Sequence, residues 1–269
     1  CRIRIRTVID AYGNCPESGI YLPLEAGTLV ANTDFRNLLT KRGSYLLKAI
    51  EESLHSIDVK EWDDFSFNQT KNMKPFFTAT YNKSEIIMPP KRDYSGDLKF
   101  VFIGSLVEGK RPLLAISIIE ALHKEGIRVH LDVYGDGVLK EVAEKYITTN
   151  KLENIVVLHG NQSKEVVKRA FQNSHFLLFI SKSEGWPKVV AESMFWSCLP
   201  VSTKVSCIPY MLDYGHRGAL INDDLDEVVE KIESYIDHKK RYAAHVENAR
   251  IWSQQFTLDT LKKGIKELL

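Results

Sequence analysis

From residue 97 onward the chain repeats one pattern: a short apolar run that stops at a glycine or a polar pair, then an amphipathic stretch of helical period. Lys99 to Ile103 is such a run and ends at Gly104; Val129 to Val133 ends at Tyr134-Gly135-Asp136-Gly137; Ile155 to Leu158 ends at His159-Gly160. Phe176 to Ile180 is the most apolar of them, followed by Pro200 to Thr203 and Ala219 to Ile221. Between them, helical spacing is read over Pro112 to Lys124, Val138 to Thr149, a stretch opened by Ser163 and Glu165, Pro187 to Trp196, and a short turn near Pro209 to Asp213. Three helices finish the chain, near Glu227 to Ile236, Lys239 to Phe256 and Leu258 to Leu269. Strands alternating with helices of this length require crossover connections. The expectation is therefore an α/β fold, a doubly wound, Rossmann-like parallel sheet covered on both faces.

Before residue 96 the pattern is irregular. Turn-rich stretches occur at Gly13 to Pro16 and Asn68 to Asn72, one amphipathic helix is plausible over Phe35 to Leu54, and Pro89 to Gly96 reads as a linker. The expected division is 1–96 for a partial or reduced N-terminal domain, 97–252 for the regular α/β domain, and 253–269 for a final helix. The chain starts with Cys1 in the middle of what reads as a strand, so the expectation is an incomplete N-terminus.

The bulk numbers narrow the class. Hydrophobic residues are 44% and charged residues 26%, which is the balance of a soluble globular protein. The formal charge of +1 leaves nothing that demands a nucleic acid partner. Cys1, Cys15, Cys198 and Cys207 form neither a C-x-x-C pair nor a zinc spacing, so they read as reduced thiols of a cytoplasmic protein. No apolar run reaches the roughly 18 residues of a membrane-spanning helix. Asp63-Asp64 and Asp223-Asp224 lack convergent partners and give no reason to expect a metal.

In a doubly wound sheet, ligands bind beyond the carboxyl ends of the strands. The loops Gly104 to Arg111, Gly135 to Gly137, His159 to Gln162 and Ser181 to Trp186 are therefore the places to look. Only the last is chemically dense: Ser181 to Glu192 reads Ser-Lys-Ser-Glu-Gly-Trp-Pro-Lys-Val-Val-Ala-Glu. Gly185 lets backbone approach a ligand, and Pro187 suits a first helical position because it has no N–H to leave unpaired. Amides from Gly185 through Trp186, Lys188 and Val189 would then face the cleft with the positive end of a helix behind them, an arrangement suited to a diphosphate. Glu192, further along that helix, could accept hydrogen bonds from vicinal hydroxyls. Taken as an isolated pair, Glu184 and Glu192 would read as a loop acid and a solvated helix residue. Gly135-Asp136-Gly137 reads as a tight turn, since the further spacing of a phosphate loop is missing.

The context of the pair changes its weight. The run SKSEGWPKVVAESMFWSCLPVSTKVSCIP, with seven residues between Glu184 and Glu192, resembles the Glu-x7-Glu region of retaining GT-B glycosyltransferases, the glycosyl transferases group 1 family. FIGSLVEGKRP, LDVYGDG and VVLHGN resemble the first three strand ends of that family's donor domain, in the same order. The resemblance covers roughly residues 98–222.

It implies a GT-B-like fold in which residues 97–252 bind a UDP- or GDP-type sugar donor and 253–269 return to the N-terminal domain. It further implies a retaining, metal-independent transfer to a glycan or lipid-linked acceptor, with no cofactor, of bacterial surface-polysaccharide type. Peripheral association with the inner face of a membrane is compatible with it. By position, Glu184 would face the donor sugar and Lys110 would neutralise the leaving diphosphate, as the catalytic pair. Glu192 would hold the ribose, and Gly185, Trp186, Pro187, Lys188 and Val189 would meet the phosphates. Gly104 and Ser105 stand at the first strand end, where the family usually has arginine after the glycine; Arg111 would compensate. His159 and Gly160 would hold the base, mainly through backbone groups. The family's glycine-rich N-terminal loop and its donor-contacting histidine have no match here. The readings this leaves beside a transferase are a non-catalytic module that binds nucleotide sugar or a partner, and a GT-B-type sugar-nucleotide epimerase.

Overall fold

A computed structural model describes residues 80–87, 96–222 and 224–266, together with two short paired strands at 6–7 and 20–21. The chain divides into two compact units, one comprising Cys1–Glu85 with Phe256–Leu269, the other Ile86–Gln255. The helix expected over Phe35 to Leu54 and the acidic pair Asp63-Asp64 lie outside the described residues. No helix among the described residues is long and apolar enough to cross a membrane.

The second unit is built on a six-stranded sheet, parallel throughout. In chain order it comprises β1 (Leu98–Ile103), α1 (Pro112–Lys124), β2 (Val129–Tyr134), α2 (Lys140–Thr149), β3 (Val156–Gly160) and α3 (Lys164–Asn173). The second half follows as β4 (Phe176–Phe179), α4 (Lys188–Phe195), β5 (Leu199–Thr203), α5 (Ile208–Met211), β6 (Ala219–Ile221), α6 (Leu225–Asp237) and α7 (Lys239–Ser253). The spatial order is β3-β2-β1-β4-β5-β6. The chain winds outward from β1 to one edge, crosses back through α3, and winds outward again from β4. The doubly wound expectation is met, and every strand read from residue 97 onward is present within two residues of its expected bounds.

Burial explains which runs were easiest to read. All four residues of β4 and all five of β5 are buried, because helices cover both faces of the sheet centre. Phe100 of β1 stacks on Phe176 of β4 with ring centroids 5.2 Å apart, and Tyr242 of α7 meets Phe176 edge-on at 5.1 Å. β2, one strand in from the β3 edge, instead alternates, with His130 and Asp132 half-buried between buried neighbours. Cover is thinner at β2 and β3, where one face is half-buried and borders a groove that residues of α3, among them Arg169 and Asn173, line from the other side.

Two glycines set how closely the site loops approach. Gly135 follows β2 with φ +138°, and a Cβ there would sit 2.0 Å from the Gly104 carbonyl oxygen. A Cβ on Gly137 would sit 2.5 Å from the carbonyl oxygen of Leu106. The two loops are joined along their backbones, Leu106 N–H donating to Asp136 (3.0 Å) and Leu139 N–H to Leu106 (2.9 Å). The tight-turn reading of Gly135 to Gly137 is thus corrected: what requires glycine is the backbone-to-backbone contact with the loop after β1.

In the first unit, the last helix α8 (Leu258–Lys266) meets the segment before the α/β unit. Leu258 N–H donates to the Tyr81 carbonyl at 2.9 Å, and Lys83 N–H to Asp259 Oδ2 at 2.6 Å.

Gly126 also has a positive φ, +81°, but nothing lies within 4 Å of a Cβ placed there. Gly126→Ala should therefore cost only the left-handed penalty, about 1–2 kcal/mol. Gly135→Ala adds a backbone collision and should cost clearly more, roughly 3 kcal/mol or above. Urea unfolding of the two variants would show the difference, and equal midpoints would contradict the close approach.

Candidate functional site

The order of strands puts the carboxyl ends of β1 and β4 side by side at the point where the winding reverses, the place where open parallel sheets leave a crevice. Two loops flank it, 104–111 after β1 and 180–187 after β4. They are joined at three points. Lys182 N–H donates to the Gly109 carbonyl at 2.8 Å, Lys182 Nζ reaches Glu108 Oε1 at 2.9 Å, and Lys110 Nζ pairs with Glu184 Oε1. The Lys182 bridge is exposed and lowers the Glu108 carboxyl, through its hydrogen bond first and its charge second. The Lys110 bridge is better shielded, with the Glu184 side chain 11% exposed. Lys110 Nζ also lies over the ring of Phe179, the last residue of β4, 5.7 Å from its centroid. The structure thus brings together the two residues that the sequence assigns to catalysis, although they lie on separate loops.

Behind Glu184 the chain enters α4. The helix starts at Lys188, so Pro187 is the residue before the first turn and not its first member. Its φ of −81° and ψ of 74° direct the chain into the helix without a side-chain cap. Lys188 N–H donates back to the Trp186 carbonyl at 2.9 Å. That corrects the expectation that amides from Gly185 to Val189 all face the cleft: Lys188's is engaged locally and Pro187 has none. The amides of Gly185 and Val189 make no backbone hydrogen bond among the described residues. Glu192 is half-buried one turn along α4, and Lys188 and Val189 are half-buried at its start.

On the β1 side, Ser105 is exposed in the loop and Gly104 N–H continues the ladder to the Tyr134 carbonyl at 3.0 Å. Arg111 adopts a left-handed conformation (φ 53°, ψ 53°) between the turn Glu108–Lys110 and α1. That conformation lets the chain reverse directly from the site into a helix starting at Pro112.

The loop after β3 starts from a histidine whose side chain has partners on β2. His159 Nε2 lies 2.5 Å from Asp132 Oδ1, and its ring stacks on Tyr134 with centroids 4.5 Å apart and planes 8° from parallel. His130 Nε2 approaches the same oxygen at 3.4 Å. Gly160 accepts from Gly135 N–H at 2.9 Å, and the His159 carbonyl accepts from Gln162 Nε2 at 2.8 Å. The His159 side chain is thus partnered on β2, beside a polar groove lined by Lys99, His130, Asp132, Arg169 and Asn173, which leaves the backbone of the loop for the contact expected of it. Burial alone would raise the Asp132 carboxyl, but hydrogen bonds from His130 and His159 outweigh it and hold the group below its ordinary value. The hydrogen bond from Asp132 raises His130 against the opposing effect of burial. Burial, helped by the charge of Asp132, pushes the Tyr134 hydroxyl up to about 12.

Sequence reading missed four contributors. Lys182 and Glu108 are charged residues in separate loops, and no spacing rule pairs them. Thr203 and Ser206 reach the Glu184 loop from β5 and beyond, through hydroxyls that carry no pattern of their own.

The model of the family described as glycosyl transferases group 1 matches residues 83–252. An uncharacterised glycosyltransferase of Methanocaldococcus jannaschii is 26% identical over 175 residues, which is 64% of this chain and 48% of that protein. The lipopolysaccharide 1,6-galactosyltransferase of Salmonella typhimurium is 27% identical over 165 residues, 60% of this chain and 45% of that one. Among solved structures, S. aureus TarM, in complex with fondaparinux, alpha-GlcNAc-glycerol and UDP, superposes with a TM-score of 0.61 at 20% identity. The match covers 82% of this chain and 42% of TarM. At that identity the likeness establishes the fold. The chain spans about half the length, or less, of the curated relatives it matches.

The His130–Asp132–His159 chain makes a prediction independent of those likenesses. A group raised above its unfolded value of 6.5, as His130 is, stabilises the fold fully below that pH and loses the contribution as pH rises through its folded value. Asp132, held below 3.8, does the reverse and loses its contribution only as pH falls through its folded value. Between about pH 6 and about pH 8 the His130 contribution falls as pH rises, while His245, held below 6.5 chiefly by burial, acts in the opposite direction. Asp132→Asn removes the first contribution and leaves the second, so over that range the melting temperature of the variant should fall less, or rise more, than that of the wild type. Parallel slopes in thermal melts would show that Asp132 does not hold His130.

Proposed function

The chain belongs to the glycosyl transferases group 1 family, and on that premise we propose that it carries the donor-binding half of a retaining, metal-independent glycosyltransferase. The donor is a UDP- or GDP-type sugar and the acceptor a glycan or a lipid-linked glycan. An acceptor of the second kind would bring the protein to the inner face of a membrane.

The observation that carries this reading is the Lys110–Glu184 pair, set where the sheet reverses and directly before α4. Cleaving the bond between a sugar and a nucleoside diphosphate develops negative charge on the leaving phosphate. Lys110, Arg111 and the amino end of α4 supply positive potential there without a metal. Glu184, the counter-ion of Lys110, is then released toward the hydroxyls of the donor sugar. Glu192 on α4 binds the ribose, and the backbone of the loop following Gly160 meets the base. That UDP is bound by TarM, which shares the fold, supports the uridine form of donor. The relationship to the Salmonella galactosyltransferase supports a surface-polysaccharide role.

A thermal-shift titration without metal tests the donor site. Ligand at a hundred times its dissociation constant adds roughly 2.7 kcal/mol, or several degrees for a chain of this size. The expected result is a shift with UDP or GDP and their sugars that is weakened in Glu192→Ala. With a transferable acceptor, Lys110→Ala should lower turnover by about 10²–10³-fold, and Glu184→Ala should act mainly on turnover. Activity should persist in EDTA; loss that magnesium or manganese restores would refute metal independence. No shift with any nucleotide in the wild type would refute the donor site itself.

A further inference from the structure

The loop that carries Glu184 is also held from the opposite side, by two hydroxyls beyond the reading above. Thr203, the last residue of β5, is buried, and its Oγ1 donates to the Ser181 carbonyl at 2.7 Å. Ser206 Oγ donates to the Gly185 carbonyl at 2.5 Å. The two bonds grip the loop at both ends, on the β5 side, while Lys182 and Lys110 tie it to the β1 side.

Ser206 makes its bond from an unfavourable backbone. It sits at φ +52° in a turn closed by Ile208 N–H to the Val205 carbonyl at 3.2 Å. Glycine is the residue that adopts such a φ without penalty, whereas a side chain there costs about 1–2 kcal/mol. Glycine has no hydroxyl, however. A strained residue whose side chain makes a specific contact beside a candidate site points to a constraint beyond folding. The contact also has a geometric effect. In a planar trans peptide the carbonyl and the following N–H point in opposite directions, so fixing the Gly185 carbonyl on Ser206 turns the Trp186 N–H away from it. The bond therefore sets the orientation of the Gly185–Trp186 peptide, one residue beyond Glu184.

We propose that Ser206 is a positioning residue: its hydroxyl orients the Gly185 peptide and, through it, the placement of Glu184 toward the donor sugar. The proposal rests on the reading of Glu184 given above. Thr203 anchors the start of the same loop and leaves its far end to Ser206.

Ser206→Gly and Ser206→Ala both remove the hydroxyl, but only the first removes the backbone penalty. In the full 269-residue chain, hydrogen exchange over residues 181–187 should speed up in both variants, by about 2–10-fold for one lost hydrogen bond. Ser206→Gly should melt at or above the wild-type temperature, since glycine suits the turn. By calorimetry, affinity for UDP-glucose should fall more than affinity for UDP, because Glu184 faces the sugar. Loosening in Ser206→Gly alone would assign the effect to glycine's backbone freedom and overturn the proposal. Wild-type exchange in both variants would overturn it too, as would faster exchange throughout the domain with a lower melting temperature. An equal loss of affinity for UDP and UDP-glucose would overturn the link to the sugar. The exchange comparison needs no ligand and decides whether the loop is held even where UDP-glucose does not bind. Glu184→Gln run in parallel separates the two readings. If it binds UDP-glucose like the wild type while Ser206→Gly loosens the loop, the role of Glu184 fails and the clamp stands.

Discussion

The pairing of β1 with β4 is the contact on which the rest of the second unit depends. The two strands are far apart in sequence, separated by two complete strand–helix units and the crossover α3. They are joined in register at Phe100–Phe176 and Val101–Leu177. Below the ladder, His175 substitutes for a strand residue: its N–H donates to the Lys99 carbonyl at 2.7 Å and its Nδ1 accepts from Lys99 N–H at 3.0 Å. Tyr242 on α7 fixes the His175 carbonyl at 2.8 Å, so a late helix locks the seam between the two halves of the sheet. Without that seam there is no reversal of winding, and without the reversal the loops bearing Lys110 and Glu184 would not share a crevice.

Held this way, the loop after β4 behaves as a bridge between strands and not as a free connection. It is attached to the β1 loop by two lysines and to the β5 side by two hydroxyls. Loops that carry ligands are commonly the least stable part of a fold. Here the segment has anchors on both flanks, which narrow the range of positions open to the Glu184 carboxylate. The electrostatics follow the same division. The Lys110–Glu184 pair is shielded, while Lys182–Glu108 is exposed and contributes mainly geometry.

Much of this was legible from residues alone because the signals were periodic. Apolar runs ending at Gly104, Gly135 and Gly160 located three strands, and the uninterrupted Phe176 to Ile180 located the fourth. The site was legible only in its linear part. Glu184, Gly185 and Pro187 lie in one stretch, so their joint pattern could be read, and Lys110 was found through its place after the first strand. What escaped was whatever depends on contacts across the sheet. His159 looked like a loop residue, but its partner Asp132 lies on another strand. Thr203 and Ser206 bond to main-chain oxygens, and a carbonyl leaves no mark in a sequence. The start of α4 was placed one residue early because a proline fits both the first turn and the position before it.

The contact between Gly135 and Gly104 has a consequence for how such a scaffold can diversify. The loops after β1 and β2 meet backbone against backbone, with no side chain between them. Neither can gain a side chain at that contact, or an inserted residue, without displacing the other's main chain. That half of the crevice rim is therefore mechanically frozen. Changes of ligand preference along a lineage fall more easily on the remaining rim, where the loop after β4 and the segment after β5 meet their neighbours through side chains that single substitutions can exchange.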